Sequence, residues 1–320
     1  MKKILITGAF GFIGSHLTEY LVQKGYNVIA FDRYNANNDY GWLNNSKYRN
    51  DIEFCLGDIR DFDSVYKVVK KSKVIFHLAA LIGIPYSYSS PLAYLKTNLE
   101  GTYNILESAK NCKVKNILIT STSEVYGSAV KIPIDENHRL LGQSPYSASK
   151  IAADQLALSY HMSFKLPIKI VRPFNTFGPR QSTRAIIPTI ISQLMLNPKS
   201  IKLGNIYTKR DYTYVKDAST AFLEILKSKN LVGEVTNIST NQNYSIIQIA
   251  KMISKLMNVS PKIIKDEKRI RPKNSEVTEL MGDNYKLKNH TDWEYNYSFE
   301  KGLKETINWF KKNKHKYNFI

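Results

Sequence analysis

Tyr146 and Lys150 are the residues whose types and spacing point most directly to chemistry. Ser144 followed by Pro145 is typical of a helix start, with serine as the cap and proline in the first turn. On that helix, a spacing of four places the phenol and the ammonium on one face. Lowering a tyrosine pKa from about 10 to near 7 takes roughly 4 kcal/mol, and one cation about 4 Å away supplies that at a dielectric near 20. The pair predicts a tyrosine base, although Tyr-x-x-x-Lys alone also fits an incidental helix face.

A second candidate segment precedes this helix. Thr122 and Glu124 follow Val114–Ile119, a short branched run that predicts a buried strand. Open α/β sheets bind ligands at the carboxyl ends of their strands. We therefore expect the hydroxyl and the carboxylate to face a ligand, although an acid in a solvated loop is the plain alternative for Glu124.

Three glycines near the start of the chain predict a phosphate site. Gly8, Gly11 and Gly14 stand between a strand-like run, residues 3–7, and a helical pattern over residues 12–24. A strand, a glycine turn and a helix N-terminus together leave backbone N–H groups free to meet a pyrophosphate. A plain turn would need none of this context, so the sequence favours a dinucleotide cofactor.

The ends of the following strands support the same interpretation. Asp32 ends the second strand, where an acid accepts hydrogen bonds from an adenosine ribose and repels a 2′-phosphate. This favours NAD over NADP, although Arg33 could meet such a phosphate. Asp58 and Ile59 follow the third strand and could line an adenine pocket, with an acidic helix cap as the alternative for Asp58. The small residues of Leu78-Ala79-Ala80 follow the fourth strand and would let a dinucleotide lie across it.

The order of elements predicts the fold. Strands that alternate with helices indicate an α/β protein with a doubly wound, mostly parallel Rossmann-type sheet. We expect a loop at 81–90, one long helix at 91–110, and irregular chain at 172–180. A smaller C-terminal substrate domain should interleave with the first. The predicted domains are 1–172 with 213–243 for NAD, and 173–212 with 244–320 for the substrate.

Composition and charge limit the remaining classes. The chain has 320 residues, of which 43% are hydrophobic and 23% charged, as in ordinary globular proteins. No apolar run reaches the roughly 18 residues of a membrane helix, and the N-terminus does not resemble a signal peptide, so we expect a cytoplasmic protein. The formal charge of +19 comes from scattered lysines rather than a basic arm, so we expect no nucleic-acid partner. Histidine and cysteine spacings indicate no metal site.

Together these motifs resemble the extended short-chain dehydrogenases that act on nucleotide sugars. The similarity covers essentially the whole chain, and the ordered set is far more specific than any one motif. Residues 121–127 resemble the nucleotide-sugar 4,6-dehydratases and the UDP-glucuronate decarboxylases. Residues 81–88, 145–150 and 172–188 are similar to the N-acetylglucosamine 4,6-dehydratase of bacterial legionaminic acid synthesis, whose sugar is carried on GDP in some bacteria.

The resemblance implies a role for each candidate residue. Thr122 and Tyr146 would hold the sugar 4-hydroxyl, Lys150 would support Tyr146 and the nicotinamide ribose, and Glu124 would remove the C5 proton. Ser123 stands where many dehydratases have aspartate, which leaves the acid for water loss open. The implied NAD-binding residues are Gly8, Gly11, Phe12, Ile13, Gly14, Asp32, Asp58, Ile59, Leu78, Ala79, Ala80, Tyr146 and Lys150.

The resemblance also implies a diphosphate site and a dimer. Asn175, Arg210 and Arg271 match positions that hold the diphosphate, and Arg184 would approach the sugar or a phosphate. Helices at 91–110 and 146–164 would pair in a homodimer. A UDP-linked substrate, a decarboxylase and a 4-epimerase remain alternatives, the last disfavoured by Glu124. A non-catalytic NAD or nucleic-acid binder is disfavoured by the intact catalytic set.

Overall fold

The computed structural model describes residues 3–270 and 272–316. The strands are β1 (Ile4–Thr7), β2 (Val28–Arg33), β3 (Ile52–Gly57), β4 (Val74–His77), β5 (Asn116–Thr120), β6 (Ile168–Pro173), β7 (Asn175–Phe177), β8 (Ser200–Leu203), β9 (Lys209–Tyr214), β10 (Val235–Ile238), β11 (Asn243–Ser245), β12 (Lys262–Lys265) and β13 (Glu279–Leu280). The helices are α1 (Phe12–Gln23), α2 (Phe62–Val69), α3 (Ile84–Ser89), α4 (Pro91–Tyr94), α5 (Gly101–Asn111), α6 (Pro145–Phe164), α7 (Ile186–Leu196), α8 (Val215–Lys227), α9 (Ile246–Met257), α10 (Tyr285–His290) and α11 (Phe299–Lys312).

A parallel sheet forms the centre of the protein. Among the described residues, seven strands join it in the order β10-β6-β5-β4-β1-β2-β3. The direction of winding reverses between β1 and β4, which pair in parallel register. A crevice at the carboxyl ends of strands flanking such a reversal is where open α/β sheets bind ligands. The predicted doubly wound Rossmann-type sheet is confirmed.

Helices bury both faces of this sheet. On one face, Leu17 and Leu21 of α1 and Phe222 of α8 pack in one apolar cluster with the strands. On the other face, Val65 of α2 and Ala157 of α6 belong to a second cluster, together with α5. A parallel sheet covered on both sides needs nearly continuous apolar strands, as the fully buried segment Ile4–Thr7 illustrates.

The second part of the molecule has its own small sheet and core. Strand β9 pairs with β7, β11 and β13, while β8 pairs separately with β12. Helices α7, α9 and α11 supply Ile190, Ile253 and Leu303 to a third apolar cluster. Strand β10 then returns to the main sheet beside β6, so the chain enters and leaves the Rossmann part as expected. The domain boundaries given above remain a prediction.

Two segments expected to be irregular are regular. The predicted loop at 81–90 contains α3, and the predicted irregular chain at 172–180 contains the end of β6 and all of β7. Pro173 ends β6, and the ladder continues past it because Phe174 N donates to the Ile238 carbonyl at 2.9 Å. Proline is tolerated at such a position because no ladder donor is lost, which is why its presence misled the prediction.

The long helix expected at 91–110 is interrupted. A π-helical stretch, Leu95–Glu100, joins α4 to α5. Within it, the buried Asn98 bonds both backbone groups of Leu81, at 2.8 and 3.0 Å, and donates to Ser149 Oγ at 2.9 Å. Such irregular turns are common at functional sites, and this one ties the chain after β4 to α6.

Within residues 3–270 and 272–316, no helix is both long enough and apolar enough to cross a membrane.

Candidate active site

The turn between β1 and α1 fits a bound diphosphate. A Cβ on Gly14 would lie 2.1 Å from the Gly8 carbonyl oxygen, so only glycine lets α1 approach the turn. Gly8 has a φ of +71°, and a Cβ there would lie 2.8 Å from Ala79 N. The side of Gly11 is open apart from the Gly8 carbonyl oxygen at 3.4 Å. The N-terminus of α1 has no side-chain cap and no acid in its first turn, so its N–H groups remain available to an anion.

Phe12 and Ile13, predicted to contact the cofactor, form the first turn of α1. Both side chains are partly exposed and pack against the core of the second part of the molecule. Their backbone N–H groups therefore belong to the open helix end. The Phe12 side chain faces the second part of the molecule, and the Ile13 side chain also packs against the core of the main sheet. The structure places them at the turn, as predicted, but assigns the side chains a packing role.

Asp32 is held at the end of β2 by backbone groups. Its Oδ2 accepts a hydrogen bond from Phe10 N at 2.8 Å, and its Oδ1 accepts one from Arg33 N at 2.7 Å. Burial raises the pKa of Asp32, and these two bonds act in the opposite direction. Each oxygen keeps a further lone pair, so the carboxylate can still receive the hydroxyls of a ribose.

The chain after β4 lies against the glycine turn. Leu78 N donates to the Thr7 carbonyl at 3.1 Å, and Ala79 N donates to Thr7 Oγ1 at 3.2 Å. His77 is buried behind them between Thr7 and Thr102, with 2.8 and 3.1 Å to their hydroxyls. Burial lowers the pKa of His77 to about 3, so it is neutral and structural. Leu78, Ala79 and Ala80 are partly exposed, as residues that line a cofactor site must be.

Asp58 and Ile59, predicted to line an adenine pocket at the end of β3, are both engaged in contacts within the protein. Asp58 pairs with its neighbour Arg60 at 2.5 Å, and this contact lowers the pKa of the carboxyl. The alternative role of Asp58 as a helix cap is wrong, because Asp61 caps α2 by accepting from Asp63 N. Ile59 is 7% exposed and packs where a side chain on Gly101 would have to lie.

Thr122, Ser123 and Glu124 lie directly after β5, as the sequence predicts. Thr122 caps a short 3₁₀ helix, Ser123–Tyr126, by accepting from Glu124 N at 3.2 Å. Ser123 is buried, whereas Glu124 is partly exposed. Within the described ranges, no cation or hydrogen-bond donor pairs with the Glu124 carboxylate. Glu124 is therefore a free carboxylate at a strand end, a suitable acceptor for a proton.

Helix α6 brings Tyr146 and Lys150 to the same place. Ser144 caps it with a capping box and Pro145 begins it, both as predicted. Tyr146 is 6% exposed and packs edge-on against Tyr94 at 6.1 Å between ring centroids. The Thr122 hydroxyl and the Glu124 carboxylate both lie close enough to the Tyr146 phenol to change its pKa. The end of β5 and the start of α6 therefore meet at one point.

The electrostatics of this pair differ from the prediction. Burial raises the pKa of Tyr146, Thr122 lowers it and Glu124 raises it further. Lys150 is buried, and its ammonium donates to the Thr120 carbonyl at 2.6 Å. The expected lowering of the tyrosine pKa by Lys150 is therefore wrong, because the ammonium bonds the backbone of β5 rather than the phenol.

The residues predicted to hold the diphosphate lie in the second half. Asn175 begins β7 and is partly exposed, and Arg184 is exposed just before α7. Arg210 is 5% exposed on β9, where its Nη1 donates to the Lys209 carbonyl at 2.9 Å. Its Nη2 lies 3.8 Å from Glu276 Oε1, an acidic neighbour that the sequence did not suggest. Arg271 lies outside the described residues.

A contact that sequence reasoning missed crosses between the two halves. Ser275 Oγ donates to the Gln143 carbonyl at 2.7 Å and lies 2.5 Å from the Tyr88 hydroxyl. Gln143 Nε2 donates in turn to the Asn274 carbonyl at 3.0 Å. These bonds tie the segment after β12 to α3 and to the loop before α6. Single polar residues in loops carry no pattern that would have revealed it.

In the part of the chain that the structure describes, no group of three His, Cys, Asp or Glu side chains is placed to hold an ion.

Comparison with known proteins identifies the family. The model of the GDP-mannose 4,6 dehydratase family matches residues 5–306. The dTDP-D-glucose 4,6-dehydratase of Dictyostelium discoideum is 32% identical, over 98% of this chain and 82% of that protein. The UDP-N-acetyl-alpha-D-glucosaminuronate decarboxylase of Bacillus cytotoxicus is 33% identical, over 97% and 98%.

A solved structure agrees with these relatives. The dTDP-glucose 4,6-dehydratase from Bacillus anthracis, solved in complex with NAD, superimposes with a TM-score of 0.85 at 30% identity. The superposition covers 98% of both chains. The fold, the order of the motifs and these matches agree along nearly the whole chain. The protein therefore belongs to the nucleotide-sugar 4,6-dehydratase family of extended short-chain dehydrogenases.

Proposed function

We propose that this protein is an NAD-dependent nucleotide-sugar 4,6-dehydratase that converts GDP-N-acetylglucosamine to its 4-keto-6-deoxy product. The observation that carries the proposal is the convergence of Thr122, Glu124 and Tyr146 where β5 ends and α6 begins. A hydroxyl, an unpaired carboxylate and a buried phenol are the groups that oxidation at C4 and elimination across C5–C6 require.

Tyr146 is the base for the first step. The sugar 4-hydroxyl lies between Thr122 and Tyr146, and the phenol oxygen takes its proton as C4 is oxidised. Lys150 stabilises the phenolate that forms and binds the nicotinamide ribose. A buried tyrosine with a raised pKa is a poor base by itself. Its ionisation therefore requires a positive charge beside the phenolate, which is the role of Lys150.

Glu124 is the base for the second step. Once C4 is a ketone, the C5 proton becomes acidic and the Glu124 carboxylate removes it. The 6-hydroxyl then leaves as water, and protonated Glu124 supplies its proton. Ser123 is 1% exposed and its hydroxyl is a weak acid, so it is not assigned that proton.

NAD fits the site because the glycine turn leaves room over Gly11, α1 offers open N–H groups, and Asp32 accepts from a ribose. When bound, NAD accepts the C4 hydride in the first step and returns it to C6 in the last. The diphosphate of the substrate is held by Asn175, Arg210 and Arg271, and guanidinium groups suit such an anion. Arg184 approaches the sugar from the start of α7.

The choice of N-acetylglucosamine rests on the residues that pack against Tyr146. Helix α3 and Tyr94 pack over the phenol, where the sugar ring has to lie. Residues 81–88, which include most of α3, resemble the N-acetylglucosamine branch of the family. GDP is the proposed carrier and UDP the alternative.

Isotope labelling tests the whole cycle. The purified protein is incubated in deuterated water with GDP- and UDP-linked N-acetylglucosamine and glucose, and products are read by mass spectrometry and NMR. In deuterated water, we expect the product to have lost one water and to carry deuterium at C5. With a substrate deuterated at C4, the label should move to the C6 methyl group. A product that keeps its 6-hydroxyl would refute the proposal.

A decarboxylase is the second candidate because the Bacillus cytotoxicus relative bears that name. Such an enzyme needs a cation for the substrate carboxylate, and the exposed Arg184 is a candidate. Incubation with UDP-linked uronic acids distinguishes the two functions, since a decarboxylase releases carbon dioxide and loses C6 altogether.

A further inference from the structure

A buried carboxylate stands behind the catalytic residues and has no role in the proposed reaction. Asp154 lies on α6, one turn after Lys150 and two turns after Tyr146, and is 0% exposed. Its Oδ2 accepts a hydrogen bond from Ser121 Oγ at 2.7 Å. It also accepts from Nε and Nη2 of Arg172, both at 3.1 Å.

Arg172 anchors this carboxylate to the main sheet. It lies on β6, is 2% exposed, and its guanidinium stands 4.9 Å from the centroid of the Tyr126 ring. The Tyr126 hydroxyl donates to Asn237 Oδ1 on β10 at 2.7 Å. The network therefore holds both ends of the catalytic segment, since Ser121 precedes Thr122 and Tyr126 ends the 3₁₀ helix that contains Glu124.

The second carboxylate oxygen is the notable feature. Within residues 3–270 and 272–316, Asp154 Oδ1 has no hydrogen-bond partner. A buried carboxylate oxygen without a donor is costly, and a purely structural ion pair would use both oxygens on the guanidinium fork. The Arg172 guanidinium therefore engages only one oxygen of Asp154 and leaves the other facing the buried groups around it.

Lys150 is the group on which the charge of Asp154 acts. It is surrounded by Tyr146 and Asp154 on α6, neutral His77 on β4 and the Thr120 carbonyl on β5. Beyond these, Glu124 acts on the phenol and Arg172 is paired with Asp154. Burial lowers the pKa of Lys150, and Asp154 is the neighbouring charge that raises it. Burial likewise raises the pKa of Asp154, and the charges of Arg172 and Lys150 act in the opposite direction.

We propose that Asp154 is a positioning residue of the active site: its carboxylate keeps the Lys150 ammonium charged and, through Ser121, fixes the segment that carries Thr122 and Glu124. This rests on the proposed function only for the roles of Lys150 and of the catalytic segment. The placement of the charges is independent of the substrate.

The test compares two variants that remove different parts of this arrangement. Asp154→Asn keeps the shape but removes the charge, whereas Ser121→Ala keeps the charge but cuts the link to the catalytic segment. The profile of kcat/KM against pH and the dissociation constant of NAD against pH, measured by calorimetry, are recorded for both and for the wild type.

Asp154 raises the pKa of Lys150, and loss of a neighbouring opposite charge shifts a pKa by about 1 unit or more. We therefore expect Asp154→Asn to move the alkaline limb of both profiles down by about one pH unit, with activity about tenfold lower above the limb. Ser121→Ala should lower kcat at every pH and leave the limb in place. Asp154→Glu, which restores the charge, should return the limb toward the wild-type pH.

An unchanged limb in Asp154→Asn would overturn the inference, as would a loss of activity that is equal at all pH values. If Asp154→Asn does not fold, the double variant Asp154→Asn with Arg172→Met leaves no unpaired cation, and the same downward shift is expected. If the wild type dehydrates no sugar, the proposed function fails, but the calorimetric limb still decides this inference.

Discussion

Glu124 and Tyr146 should separate the two chemical steps. In Glu124→Gln the side chain keeps its size but cannot take a proton, so the sugar should be oxidised at C4 without losing water. Removal of such a base costs about 10²–10⁴-fold in turnover. Absorbance of the reduced nicotinamide should accumulate on mixing with substrate.

Tyr146→Phe is the matched control for this experiment. It removes the first base, so no reduced nicotinamide should appear at all. Normal turnover by Glu124→Gln would show that another group removes the C5 proton.

Asp32 should decide between the two nicotinamide cofactors. Asp32→Asn keeps an acceptor for Phe10 N but loses the charge, and hydrogen bonds to charged groups contribute about 1.5–3 kcal/mol. NAD affinity should therefore fall by about tenfold or more, and the discrimination against NADP should shrink. Fluorescence titration with both cofactors measures this.

Arg33→Ala is the control, because Arg33 could attract a 2′-phosphate. It should leave NAD affinity unchanged and weaken NADP binding further. Equal affinity of the wild type for both cofactors would contradict the assigned role of Asp32.

At the level of single residues, the sequence predicted positions better than electrostatics. Thr122 and Glu124 could be placed because strand ends are visible in an apolar run. The direction of the Lys150 ammonium could not, because it depends on how close α6 lies to β5. Asp154 was missed since an acid in a helix is usually solvated, although its spacing of four from Lys150 places it on the same buried face.

At the level of elements, His16 joins the first helix to the substrate half. Its Nε2 lies 3.0 Å from the Pro179 carbonyl, so this nitrogen carries the proton and donates. One turn later, Glu19 pairs with Arg180 at 2.8 Å. The contact makes α1, which begins at the glycine turn, part of both halves of the molecule.

The burial of His16 on α1 should make the stability of the protein depend on pH. Burial lowers the pKa of His16 from 6.5 to about 3, so the unfolded chain binds a proton in this range and the folded one does not. The contribution of His16 to the free energy of unfolding is fully present above pH 6.5 and is lost as the pH falls toward 3, by roughly 5 kcal/mol.

Urea unfolding at several pH values measures this dependence. In His16→Gln, whose amide can still donate to Pro179, the free energy of unfolding should fall less between pH 6.5 and 4 than in the wild type. Equal slopes for both proteins would show that His16 is not the group responsible.

Proline and glycine explain where the prediction of elements failed. The motif Arg172–Arg180 contains two prolines and a glycine, yet it forms β7 because its backbone pairs with β9. Such pairing joins residues far apart in sequence, and local propensity does not contain it. The interruption at Leu95–Glu100 is invisible for the same reason, since Asn98 is fixed by contacts with Leu81 and Ser149 rather than by its own helix.

At the level of the whole molecule, the predicted homodimer needs an apolar surface. Ala157 and Tyr160 of α6 do not supply it, because both are buried in the protein's own core. Other apolar residues on the same two helical segments are exposed: Leu92 by 61%, Leu95 and Tyr103 by 44%, and Met162 by 73%. These remain available to a second copy of the chain.

We expect the wild type to be a dimer at micromolar concentration in light scattering, because exposed apolar side chains gain by burial. Tyr103→Glu should shift the protein to monomer. Tyr207→Glu, at a side chain that is 77% exposed on the other half, should leave the dimer intact. A monomeric wild type would refute the prediction.

The late return of β10 to the main sheet also matters during protein synthesis. Strand β6 is complete at Pro173, but its outer edge is covered only when Val235–Ile238 arrives. A ribosome adds about 5–20 residues per second. For several seconds, the edge of an apolar strand that is buried in the finished protein is therefore exposed to other chains. Unpaired strand edges promote aggregation, so this interval is a point at which a nascent chain would benefit from a chaperone, and slower translation would lengthen the exposure.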